Sequence, residues 1–120
     1  MKNKKFDWEK KCTIYIGRFQ PFHEGHKKIF LKAIKKYNQI AILVMNSHGI
    51  GNKNPFTYSE VVKKINKELK AYKNLYIIIK IPAIYSAIYG RKVGYKFEKI
   101  TLPKKIENIS ATKIRNKKTK

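Results

Sequence analysis

Three short runs, KCTIYIG (Lys11 to Gly17), QIAILVM (Gln39 to Met45) and LYIIIKI (Leu75 to Ile81), are apolar and rich in β-branched residues almost throughout. No other feature narrows the choice of fold as much. A strand with one face in water alternates apolar and polar side chains; a strand without that alternation is buried on both faces, as in parallel sheets flanked by helices. The stretches between the runs carry helical periodicity. Ile29, Phe30, Ala33, Ile34 and Tyr37 recur at helical spacing with lysines between them, which predicts an amphipathic helix from about Glu24 to Tyr37. Asn46 to Phe56, with Gly49, Gly51 and Pro55, reads as a loop. Thr57 then stands as an N-cap with Glu60 at the capping-box position, and Val61, Val62, Ile65 and Leu69 form the apolar face of a second helix.

The succession strand, helix, strand, helix, strand predicts a mainly parallel sheet covered on both faces, the first half of a Rossmann-like three-layer α/β/α sandwich. About five strands are expected in all. Ala83 to Tyr89 suits a short helix or a fourth strand, and Tyr95 to Ile100, with alternating faces, a fifth. Ser110 is placed to cap a last helix containing Ile114 and Arg115. A chain of 120 residues is the size of one compact domain, and residues 1–9 and 116–120 are expected to fray.

Composition excludes some classes of function. The longest apolar stretch, Leu75 to Ala87, is broken by Lys80 and Pro82 and falls short of the roughly 20 residues of a membrane span. No secretory pattern follows the basic start, and a lone cysteine, Cys12, expected in a buried strand, fits a reducing, cytoplasmic setting. The formal charge of +22 suggests nucleic acid, but the 29 basic residues are 26 lysines and only three arginines. The lysines are spread along the chain and read as solvated helix faces, an excess that a coding bias toward A and T would produce. Against that background Arg18, Arg91 and Arg115 are informative, because arginine supplies a planar fork of donors for phosphate or carboxylate.

The first strand runs directly into GRFQPFHEGH (Gly17 to His26) and then into a helix. In parallel α/β sheets the ligand crevice lies outside the carboxyl ends of the strands, where a helix N-terminus offers unpaired amides to an anion. Arg18 adds donors there, and His23 and His26 place two imidazoles on one side of the helix start. Gly25 leaves space for a phosphate to reach the backbone. Two such histidines are also compatible with a cap and a surface residue. A zinc site lacks a convincing third ligand, since only His48 and Cys12 remain. Arg91, in YGRKVGY (Tyr89 to Tyr95), suits either a substrate contact or a solvated turn.

GRFQPFHEGH resembles the signature of the HxGH-motif nucleotidyltransferase superfamily (cytidylyltransferase-like), in the form found in archaeal-type nicotinamide mononucleotide adenylyltransferases. NPFT (Asn54 to Thr57) is similar to the segment after the second strand's loop in those enzymes, and ISATKIR (Ile109 to Arg115) resembles their late S-x-T-x-[IV]-R helix start. The resemblance implies adenylyl transfer from ATP, with magnesium (Mg2+) assisting, to a phosphomonoester acceptor such as nicotinamide mononucleotide, with pyrophosphate released. It implies that His23, His26 and Arg18 act at the α-phosphate, that Gly17, Phe19 and Gly25 are among the nucleotide- and phosphate-binding residues, and that Ser110, Thr112 and Arg115 hold the β- and γ-phosphates. Homo-oligomers are common in the family. The tryptophan-bearing stretch near the family's nicotinamide has no counterpart, because the only tryptophan is Trp8. Two alternatives stay open: a cytidylyltransferase acting on a small phosphorylated alcohol, for which a GxFDxxH form is more typical, and a basic nucleotide- or nucleic-acid-binding module without catalysis.

Overall fold

The computed structural model describes residues 5–46, 54–91 and 94–100. The elements follow in the order β1 (Thr13–Gly17), α1 (Glu24–Tyr37), β2 (Ile40–Met45), α2 (Tyr58–Glu68), a 3-10 segment (Lys70–Leu75) and β3 (Tyr76–Ile81). All three strands are parallel and lie in the order β1-β2-β3. The apolar runs and the two helical periodicities therefore form the elements they predict, to within two residues at each strand.

Pairing aligns Tyr15 with Ile42 and Ile78, and because side chains alternate across a strand, these share a face with Ile40, Val44 and Tyr76. That face meets Phe30, Ala33 and Ile34 from α1 and Val61, Ile65 and Leu69 from α2 in one apolar core. Both crossovers advance across the sheet in the same direction, so right-handed connections bring both helices to one side. The opposite face carries Ile14 and Ile79, 53% and 37% exposed. Among the described residues the layers are thus two, one sheet and one helical layer, and the strands are three. The fourth and fifth strands do not form: 82–91 and 94–100 contain no helix and no strand. Tyr95 and Phe97, the alternating residues that suggested strand five, are exposed; Glu98 instead bonds Lys36 and the Tyr37 hydroxyl at the end of α1. Alternation requires a neighbouring strand and a covered face to be realised; among the described residues this segment pairs with no strand, and of its apolar side chains only Ile100 packs against the core.

One other expectation is corrected. Cys12 is exposed, one residue before β1 begins. The buried Gln39 carboxamide bonds residues 7–11, which overlap at 7–9 the stretch expected to fray. Its Oε1 accepts from Asp7 N at 2.8 Å, and its Nε2 faces the carbonyls of Asp7, Lys10 and Lys11 at 3.0, 3.1 and 2.9 Å. No helix among the described residues is long and apolar enough to cross a membrane.

The helix ends follow local chemistry. Asn38, at φ 70°, ends α1 in the left-handed region and donates its N–H to Ile34 O. Thr57 and Glu60 form the predicted capping box, Thr57 N to Glu60 Oε1 at 2.9 Å and Glu60 N to Thr57 Oγ1 at 3.1 Å. Thr57→Ala is expected to cost about 1 kcal/mol, read as a lowered midpoint in urea unfolding with an unchanged slope.

Candidate active site

The parallel register sets Gly17, Val44 and Lys80 in one row near the carboxyl ends of the three strands. The chain leaves β1 at this end and turns at once into α1. Phe19 makes the turn with φ 52°, a conformation a bulky side chain adopts only under constraint. The constraint is packing: its ring is 2% exposed and lies edge-on to Tyr15 at 5.1 Å and to His26 at 5.0 Å. A Cβ on Gly17 would come within 2.9 Å of Phe19 Cζ, so glycine is what allows the ring to fold back over the strand end. The Phe19 ring is therefore packed inward, among Tyr15, Phe22 and His26. Arg18 is exposed and makes no hydrogen bond or ion pair among the described residues.

His23 is the N-cap of α1. Its Nδ1 accepts from Gly25 N at 3.0 Å, while Nδ1 of His26, at the third helical position, accepts from His23 N at 3.1 Å. The pair is a capping box built from imidazoles, with the rings 3.9 Å apart. The space beside Gly25 is taken by His23: an added Cβ would stand 2.8 Å from His23 Cε1. Glycine at position 25 thus makes room for the imidazole.

This bonding decides the protonation state. An Nδ1 that accepts a backbone N–H holds a lone pair, so each neutral ring carries its proton on Nε2. Burial, with His23 alongside, pushes the His26 pKa down to about 3, and burial also lowers that of His23, partly offset by Glu24. At neutral pH the two rings are thus uncharged Nε2–H donors at a helix N-terminus, in the same loop-to-helix segment as the exposed Arg18. Such a set suits phosphate oxygens. It does not suit a metal, because the Nδ1 lone pairs are occupied and Nε2 is protonated, and no group of three His, Cys, Asp or Glu that could hold an ion occurs among the described residues.

The Tyr15 hydroxyl, below Phe19, is buried with no hydrogen-bond partner among the described residues, and burial drives its pKa up. Tyr15→Phe removes that unsatisfied group. It is expected to leave the fold unchanged and to raise stability by up to about 1 kcal/mol in urea unfolding. Arg91 sits in exposed coil after β3 with no hydrogen bond or ion pair among the described residues. Ser110, Thr112 and Arg115 lie outside the described residues.

With this geometry in place, comparison with known proteins is informative. The cytidylyltransferase-like family profile matches residues 14–76, which run from β1 through both helices to the start of β3. The chain belongs to this family. A nicotinamide-nucleotide adenylyltransferase of Methanococcus aeolicus is 36% identical over 64% of the chain and 46% of that relative; one of Sulfurisphaera tokodaii is 40% identical over 50% and 36%. The chain thus spans about half or less of the length of these archaeal relatives. A phosphopantetheine adenylyltransferase of Malacoplasma penetrans is 31% identical over 90% of each chain. The matched region contains β1, the imidazole cap and the start of α2, so the family relationship and the candidate site coincide.

Sequence reasoning missed two things here. The reciprocal cap was legible: H-x-x-H at a helix start has the spacing of the S/T-x-x-E box, with imidazole nitrogens in place of oxygens. Less legible was Gln20, buried at 3% exposure, whose side chain bonds the backbone of Phe56, 36 residues away.

Proposed function

We propose that the chain is an adenylyltransferase that transfers AMP from ATP to a phosphomonoester acceptor and releases pyrophosphate. What carries this reading is the pair of neutral Nε2–H donors fixed by the α1 cap, at the end of a parallel sheet belonging to this family. A phosphate oxygen of the acceptor attacks the α-phosphorus, the new P–O bond forms, and the bond from that phosphorus to the bridging oxygen breaks toward pyrophosphate. His23 and His26 donate to α-phosphate oxygens on which charge gathers, and Arg18 bonds phosphate beside them. Being neutral and already hydrogen-bonded, the imidazoles need no proton transfer or reorientation as the reaction proceeds, which is electrostatic preorganisation. Ser110, Thr112 and Arg115 would complete the cradle around the departing β- and γ-phosphates.

Magnesium would enter with the triphosphate as its counter-ion, where it neutralises phosphate charge. The imidazole donor set faces phosphate oxygens and not the ion. Nicotinamide mononucleotide is the acceptor named in the archaeal relatives. Phosphopantetheine is the second reading, favoured because the relative named for it matches over 90% of both chains.

The test is pyrophosphate release with magnesium, running ATP and CTP separately against nicotinamide mononucleotide, phosphopantetheine and glycerol 3-phosphate. Release with ATP and one acceptor supports the proposal and names the substrate. Release with CTP and glycerol 3-phosphate replaces it with the cytidylyltransferase reading. No release with any pair, from folded protein, overturns adenylyl transfer to these acceptors.

A further inference from the structure

GRFQPFHEGH and NPFT were both conspicuous in the sequence, yet the functional reading leaves Gln20 and Phe56 without a part. The structure joins them. Gln20 Nε2 donates to Phe56 O at 3.0 Å, and Phe56 N donates to Gln20 Oε1 at 2.8 Å. A primary carboxamide is the side chain that can meet a peptide group with one donor and one acceptor at once, as a neighbouring strand would. The residue is 3% exposed, so water does not compete for either bond.

Gln20 sits one residue after Phe19 and two before Phe22. His26 rests on both rings, edge-on to Phe19 at 5.0 Å and stacked on Phe22 at 5.5 Å. On its other side, Phe56 immediately precedes the cap of α2. One side chain thus fixes the loop after β1 against the segment that opens α2, and the rings carrying His26 flank the fixed point.

We propose that Gln20 is a positioning residue: by clamping Phe56 it holds the loop that seats His26, so that triphosphate binding depends on Gln20 although its carboxamide is buried against the Phe56 backbone. This rests on the functional reading above. Methionine at this place keeps nearly the same length and volume but can make neither bond; glutamate keeps the acceptor and loses the donor.

The experiment compares Gln20→Met and Gln20→Glu with Ile65→Val, which removes one methylene from the buried side of α2 away from the loop. Folding is checked by circular dichroism and thermal midpoint, Phe56 amide exchange by NMR, and MgATP affinity by calorimetry well below the midpoint. Both Gln20 variants are expected to weaken MgATP binding by about tenfold or more, since small misplacements of binding groups are costly. Gln20→Met should also speed exchange at the Phe56 amide. Ile65→Val should lower the midpoint and leave affinity within twofold. Gln20→Met that binds MgATP like the wild type, or an affinity loss that merely follows the loss of stability in all three variants, overturns the proposal. Wild-type protein that binds no MgATP overturns the functional reading and the ligand half of this one, while Phe56 exchange still decides whether the clamp holds the loop.

Discussion

His26→Ala is expected to lower kcat/KM for pyrophosphate release by about two to three orders of magnitude, the usual effect of deleting one preorganised donor from a developing negative charge. The substitution has a structural cost as well. His23 N loses its acceptor, and leaving this half-buried amide unsatisfied costs up to about 1 kcal/mol, as the loss of a helix cap does, so the assay belongs at low temperature with helix content verified by circular dichroism. His26→Asn separates the two effects: its carbonyl oxygen can still accept from His23 N, but no ring remains to donate from the Nε2 position. Stability should then recover while the rate does not. A folded His26→Ala protein with an unchanged rate would remove the imidazole pair from the mechanism.

The second large effect is on acid stability. His26 titrates near 6.5 when unfolded and near 3 when folded, mainly because its ring is desolvated. As pH falls below about 6.5 the unfolded chain takes up a proton that the folded chain refuses. The contribution of this residue is therefore complete above that pH and declines by about 1.4 kcal/mol per pH unit until pH approaches 3. His23, shifted in the same direction, adds to the decline. Forced protonation has a definite structural meaning, because an imidazolium has no lone pair at Nδ1 and each ring that is protonated loses the cap bond it accepts. Urea unfolding at pH 7.5, 6 and 5 measures the slope. His26→Asn, which does not titrate, should flatten it by close to one proton; an equal slope in the two proteins would show that acid acts elsewhere.

Several parts of this molecule could be read directly from its residues. Runs such as QIAILVM have no alternation to misinterpret, and Thr57 with Glu60 encodes a local hydrogen-bond exchange within one helical turn. Local and periodic features have local causes. The features that escaped depend on partners far along the chain. Gln39 gathers residues 7–11 and Gln20 binds Phe56 through side-chain-to-backbone bonds that leave no spacing pattern. Tyr95 to Ile100 shows the opposite failure, since its alternation was real but supplied only half of what a strand requires. At the site, the sequence marked out His23, Gly25 and His26, which the structure gathers at the N-terminus of α1. The tautomers were not legible, because they follow from which backbone amide each Nδ1 accepts.

The cap also bears on how such a chain changes over evolutionary time. His23 and His26 cap a helix as well as serving in the proposed reaction, so a descendant that abandoned the reaction would still be selected to keep both for folding. Arg18 has no such second duty among the described residues, being exposed and unbonded. In surveying relatives for retained chemistry, the histidine pair is therefore a permissive marker and the arginine a discriminating one. Loss of activity should show first as drift at position 18 beneath an intact HxGH.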